Sequence, residues 1–323
     1  MIDLENLGRI GVGIRPSINE LIGPGSTVRE IIEASLEQGL NLIDLAKNLG
    51  LARVEKELCK ILRELDCRDK LFIITKGGIK RDEQGLLRPD GRPENIRTGV
   101  NESLELLGLD VLDCYQIYWP DDNVPLSETI GVLDELREQG KIRYTGVTNF
   151  TPEQIEAAEE GGKIDFVQFP YSLFQLQAES DLLPYCRDKN LRRVAYGVLC
   201  RGLLTDDFLE AGELEYDTLG SNLAHVRDNF SIYRHTVHQI AKYFEEENGG
   251  GPLASSMISW VLAQPNIDHA ITVAHNKKQV EVIARAREIS LSQDQITEIS
   301  SIVREIVGGN VDRDFVIPPH ASD

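Results

Sequence analysis

The stretch Leu71-Phe72-Ile73-Ile74-Thr75-Lys76 reads as a strand buried on both faces, because five near-continuous apolar or β-branched residues end abruptly in a lysine. A strand covered on both sides belongs to a parallel sheet, and parallel neighbours need crossover helices between them. The flanking sequence supplies both. Upstream lie a strand at Ile10–Ile14, a helix from Thr27 that stops at Gly39, a strand at 40–45 and a helix at 53–64. In that first helix Thr27 and Glu30 have the spacing of a capping box. Downstream, helices are predicted at 94–107, 127–139, 152–160, 178–189, 236–247, 253–263 and 276–287, alternating with strands at 111–118, 142–148, 165–169, 192–198 and 269–273. Two stretches break the rhythm: the polar, Gly/Pro-rich run Gly77 to Pro93, too long for an ordinary βα loop, and the segment 199–235, which reads as irregular.

Eight strands, each followed by helical sequence, are solved by a (β/α)8 barrel; a doubly wound sheet is the alternative, weakened by the absence of Gly-x-Gly-x-x-Gly between a strand and a helix. No linker divides the chain, so 1–323 reads as one barrel domain closed by a helix and tail at 292–323. The 323 residues carry 53 acids against 34 Lys and Arg, a net charge of −19. That balance argues against a nucleic-acid surface and against an anionic membrane, and leaves a small molecule as the expected partner. Five cysteines without a Cys-x-x-Cys pair indicate neither a disulfide framework nor a zinc site, and no metal is expected. With no secretory signal at Met1-Ile2-Asp3 and no long apolar run, a reduced cytoplasmic setting is the expectation. Composition says nothing of oligomeric state.

In such a barrel the chemistry lies at the C-terminal ends of the strands. Those ends read Asp44, Lys76, Tyr118, Thr148-Asn149, Gln168, Tyr196 and His275. Any one of them suits a loop or a cap; together they form a polar ring around one mouth. Asp44 and Lys76 end adjacent strands, so an ion pair between them is expected, either as a structural element or as a device that tunes a neighbouring acid.

The chain resembles the aldo-keto reductase superfamily over nearly its whole length. The strongest stretch is Gly140-Lys141-Ile142-Arg143-Tyr144-Thr145-Gly146-Val147-Thr148-Asn149-Phe150. Asn41-Leu42-Ile43-Asp44, Thr75-Lys76, Leu112-Asp113-Cys114-Tyr115-Gln116-Ile117 before Trp119-Pro120, and Ala195-Tyr196 before Arg201-Gly202-Leu203-Leu204-Thr205 resemble further family motifs. Lys76-Gly77-Gly78 followed by Pro89-Asp90-Gly91-Arg92-Pro93-Glu94 looks most like the pyridoxal-reductase-like branch. The resemblance implies carbonyl reduction with NADPH and four working residues: an aspartate, a tyrosine, a lysine and a histidine. Asp44 and Lys76 match two of them. The tyrosine position holds Leu49 and the histidine position holds Tyr118.

Two readings of that departure stand: Tyr118 replaces the missing acid from the neighbouring position, or it only fills the site and reduction is lost or replaced. In the second case the barrel serves as a lyase, dehydratase or isomerase, or as a binding protein without activity. For the cofactor, the resemblance places Thr148, Asn149 and Gln168 on the nicotinamide carboxamide, Tyr196 against the ring, and Cys200, Arg201, Gly202 and Leu203 along the pyrophosphate. The adenosine end departs from the family pattern, with Val273 and His275 in place of its glycine and arginine and Val282-Ile283 in place of its Glu-Asn pair. His275, Lys277 and Lys278 are left to attract a 2′-phosphate at a helix start. Leu49 and Trp119 would line the substrate pocket.

Overall fold

The computed structural model describes residues 1–14, 27–45, 51–210, 230–248 and 251–307. Eight parallel strands close into a barrel in the order β1 (Ile10–Ile14), β2 (Leu42–Leu45), β3 (Phe72–Gly77), β6 (Leu112–Ile117), β7 (Ile142–Thr148), β8 (Phe166–Pro170), β9 (Arg192–Tyr196) and β10 (His269–Val273), with β10 pairing back onto β1. This is the (β/α)8 architecture, and closure excludes the doubly wound alternative. The strands are buried almost end to end because helices cover their outer faces while side chains fill the inside.

Inward positions recur every second residue. Leu42, Phe72, Ile74, Cys114, Phe166, Val194 and Ile271 pack together as the apolar filling, and Leu7 with Ile2 and Leu4 closes the end where the strands begin. Two glycines make room for it. A Cβ on Gly11 would lie 2.9 Å from Ile271 and Leu42, and one on Gly146 would lie 2.9 Å from Gln116. The interior is therefore a packed core, and the opposite end, where the strands finish, forms the mouth.

The two stretches that break the rhythm both contain regular structure. The Gly77–Pro93 run, too long for an ordinary βα loop, is not without its own. Gly77 ends β3, and the remainder folds as an antiparallel pair, β4 (Ile79–Arg81) with β5 (Leu87–Pro89). Asp82 builds its turn: one carboxylate oxygen accepts from the amides of Gln84 and Leu86, at 3.0 and 2.8 Å, and the other from Arg88 at 2.9 Å. Nor is 199–235 irregular throughout. It contains a 3-10 turn at Cys200–Gly202, a short helix Asp206–Glu210 and the start of the helix Phe230–Asn248. Tyr233, fully buried, holds that start by an edge-to-face contact with Phe174 at 5.2 Å. Among the described residues no helix is long and apolar enough to cross a membrane.

Candidate active site

Beyond the apolar filling, the inward rows turn polar. Asp44 stands two residues past Leu42, Lys76 two past Ile74, Gln116 two past Cys114, Gln168 two past Phe166 and Tyr196 two past Val194. Adjacent strands hold them in register: Lys76 lies beside Gln116 and Thr148 beside Gln168. The alternation that buries the core thus delivers a layer of polar groups at one height.

The layer is knitted together. Lys76 Nζ donates to Asp44 Oδ1, with the lysine 1% and the aspartate 6% exposed. Two charges at that depth are tolerable only as a pair, since either alone would lose its hydration uncompensated. Gln168 Nε2 reaches the second oxygen of Asp44 at 3.5 Å, while Thr148 Oγ1 donates to Gln116 Oε1 at 2.9 Å. Gln116 was not among the residues singled out from the sequence, although its place two beyond a core cysteine was the available signal.

Tyr118 follows directly on β6 and keeps the inward parity of Cys114 and Gln116, one step nearer the mouth. Its amide donates to the Gly77 carbonyl at 2.9 Å, so the Lys76 strand fixes its height. Asn149 links it to Tyr196: Asn149 Nδ2 donates to the Tyr118 carbonyl at 3.1 Å, and Asn149 Oδ1 accepts from the Tyr196 hydroxyl at 2.6 Å. Asn149 does this at φ +66°, a left-handed conformation that asparagine tolerates better than most residues. Burial, and then the neighbouring Tyr118, push the Tyr196 phenol well above its ordinary pKa, so it stays a protonated donor. Tyr118 and Trp119 are half-buried, their rings 6.2 Å apart. Leu49 lies outside the described residues.

The loop after β9 is wound tightly, with Gly197 at φ +69°, Cys200 at +49°, Arg201 at +55° and Gly202 at +97°. Two successive non-glycine residues in that region store backbone strain. The amides of Gly202 and Leu203 are spent inside the turn, on the carbonyls of Leu199 and Cys200. Burial pushes the Cys200 thiol up to about 12; its Sγ lies 3.0 Å from Ser172 Oγ.

At the next strand end, Asn276 caps the helix Lys277–Arg285 by accepting from the Gln279 amide at 2.9 Å, and the Gln279 side chain takes the His275 amide at 2.7 Å. The Lys277 amide donates to Glu30 at 3.0 Å and its ammonium to Glu37 at 2.6 Å. Glu30 thus reaches across to a second helix, an interaction that its capping-box spacing did not announce. Val282 and Ile283 offer no polar side chain there; Ile283 is core.

Two features of the mouth suit a nicotinamide dinucleotide. Gln168 Oε1 is buried with no partner, an acceptor suited to a carboxamide N–H. Gly197 and Gly202 present backbone to open space, with nothing within 4 Å of where a Cβ would stand.

Comparison with known proteins places this barrel, with its buried Lys–Asp pair at the mouth, in one family. The Aldo/keto reductase family model matches residues 24–304. An aldo-keto reductase of Bacillus subtilis (strain 168), YhdN, is 32% identical over 291 residues, 90% of this chain and 87% of that one. An NADH-specific methylglyoxal reductase of Escherichia coli (strain K12) is 33% identical over 307 residues, 90% of this chain and 91% of that one. Among solved structures, the glycerol dehydrogenase AKR11B4 from Gluconobacter oxydans superposes with a TM-score of 0.81 at 30% identity, covering 96% of both chains. The chain belongs to the Aldo/keto reductase family.

Proposed function

We propose that this protein reduces a small carbonyl compound, or oxidises the corresponding alcohol, with a nicotinamide dinucleotide, and that Tyr118 is the proton donor. The observation that carries the reading is the buried Lys76–Asp44 pair with an inward-parity phenol one step above it. When bound, the reduced dinucleotide supplies the hydride to the carbonyl carbon. Tyr118 donates its proton to the carbonyl oxygen as negative charge gathers there, and regains one from solvent through its half-exposed edge. Lys76 favours the transient phenolate by its charge, and Asp44 keeps that ammonium oriented in a poorly hydrated site. Gln168 and Thr148 orient the carboxamide, Tyr196 supports the ring, and Trp119 narrows the entrance so that a small substrate fits.

Support for the oxidoreductase reading over a redox-free lyase, dehydratase or isomerase comes from family membership and from the fit of the nicotinamide end. The resemblance implied NADPH, but the name of the E. coli relative specifies NADH, so this chain's own residues have to decide between them. The substrate class we propose is an aldehyde of pyridoxal type, reduced in the cytoplasm.

The test is Tyr118→Phe. The variant is expected to bind dinucleotide normally and to lose roughly a hundredfold or more in aldehyde turnover, the usual share of a positioned acid. Full turnover in the variant would remove Tyr118 from the mechanism.

A further inference from the structure

We infer that Glu30 and Glu37 make the adenosine end selective for the dinucleotide without a 2′-phosphate, NADH over NADPH; the inference rests on the dinucleotide reading above. In eight-stranded barrels a phosphate-bearing ligand is held by the loops after the seventh and eighth strands together with a helix N-terminus. Here those strands are β9 and β10, and the helix is Lys277–Arg285.

That helix start is already met by carboxylate. Glu30 accepts from the Lys277 amide at 3.0 Å, occupying a donor that an anionic ligand would otherwise use. The lysine itself is turned away. Its amide sits level with Glu30, but its ammonium bonds Glu37 at 2.6 Å, two helical turns further along the helix Thr27–Glu37. This first helix runs antiparallel to the strands it joins, so Glu37 lies toward the closed end of the barrel. Lys277 therefore stretches down the groove between helices, away from the mouth.

One cation that could neutralise a 2′-phosphate is thus withdrawn and paired, while a carboxylate, Glu30, stands at the helix start. Lys278 and His275 are exposed on the same turn; with Lys277 and Glu37 spent on each other, the one positive charge of Lys278 is set against the one negative charge of Glu30. A carboxylate accepts a hydrogen bond from a ribose 2′-hydroxyl and repels a phosphate, so the same atoms favour one dinucleotide and penalise the other.

The experiment is a pair of binding titrations with NADH and NADPH, read by quenching of intrinsic protein fluorescence, on the full chain and on E30Q/E37Q. The full chain is expected to bind NADH at least about tenfold more tightly than NADPH, and the double variant to close most of that gap by gaining NADPH affinity. The single E37Q variant, which removes only an exposed pair and frees Lys277, is expected to move the ratio the same way. NADPH binding as tight as NADH in the full chain, or a ratio unmoved in both variants, overturns the selectivity and leaves the reductase reading intact. Failure of both dinucleotides to bind overturns the two together.

Discussion

Lys76 and Asp44 form an ion pair across adjacent strand ends, and both are sealed from water. Lys76→Met should leave Asp44 buried and uncompensated. We expect a stability loss of about 3–5 kcal/mol by urea denaturation, together with loss of turnover. The double variant Lys76→Met/Asp44→Leu should recover much of that stability and none of the activity. If it were no more stable than the single variant, burial of the lone charge would not be the cause.

Asn149 joins the two tyrosines from a left-handed backbone. Asn149→Ala loses both side-chain bonds and keeps the strain, whereas Asn149→Gly loses the bonds and relieves the strain. Thermal melts should rank the glycine variant above the alanine variant by about 1 kcal/mol, the usual cost of a left-handed residue with a Cβ. Both should turn over more slowly than the parent, because the Tyr118 carbonyl has lost its anchor.

Gly77 follows Lys76 directly, and a Cβ there would stand 1.8 Å from the hydroxyl of Tyr115, a fully buried side chain. Gly77→Ala must push Tyr115 or the strand aside. We expect a cost of about 1–3 kcal/mol and a fall in kcat as Lys76 shifts with its strand. Unchanged stability and kcat would mean that Tyr115 yields freely.

His269 sits in β10 with Nδ1 donating to the Gly8 carbonyl at 2.9 Å, and burial holds its pKa down to about 4 against 6.5 ordinarily. A depressed histidine keeps the fold intact while neutral. As pH falls from about 6.5 to about 4 the unfolded chain takes up a proton that the folded chain refuses. This group alone should then cost up to ~3 kcal/mol across that window, and nothing further below it. Urea midpoints measured across it should fall less steeply for His269→Gln than for the parent; parallel slopes would assign the acid lability elsewhere.

The architecture was legible because each barrel strand is locally overdetermined. Runs such as Leu71–Thr75 have no other stable use than a strand covered on both faces, and helical stretches separate them. The Lys76–Asp44 pair was legible for the same reason: neighbouring strands that end in opposite charges inside a barrel bring those charges together. The Gly77–Pro93 hairpin was hidden, since its turn depends on one carboxylate, Asp82, accepting from two backbone amides and Arg88. Gln116 was hidden inside a motif that reads as plain strand.

By itself, then, the sequence determined the barrel and its polar mouth, because alternation and strand-end identity are local properties. Only the tertiary structure decided which groups are spent on each other: Lys277 on Glu37, Glu30 on the Lys277 amide, Asn149 on Tyr118 and Tyr196. Glu37 and Lys277 are 240 residues apart in the chain. Their pairing depends on two helices lying side by side once the barrel has closed, and no local pattern encodes that distance.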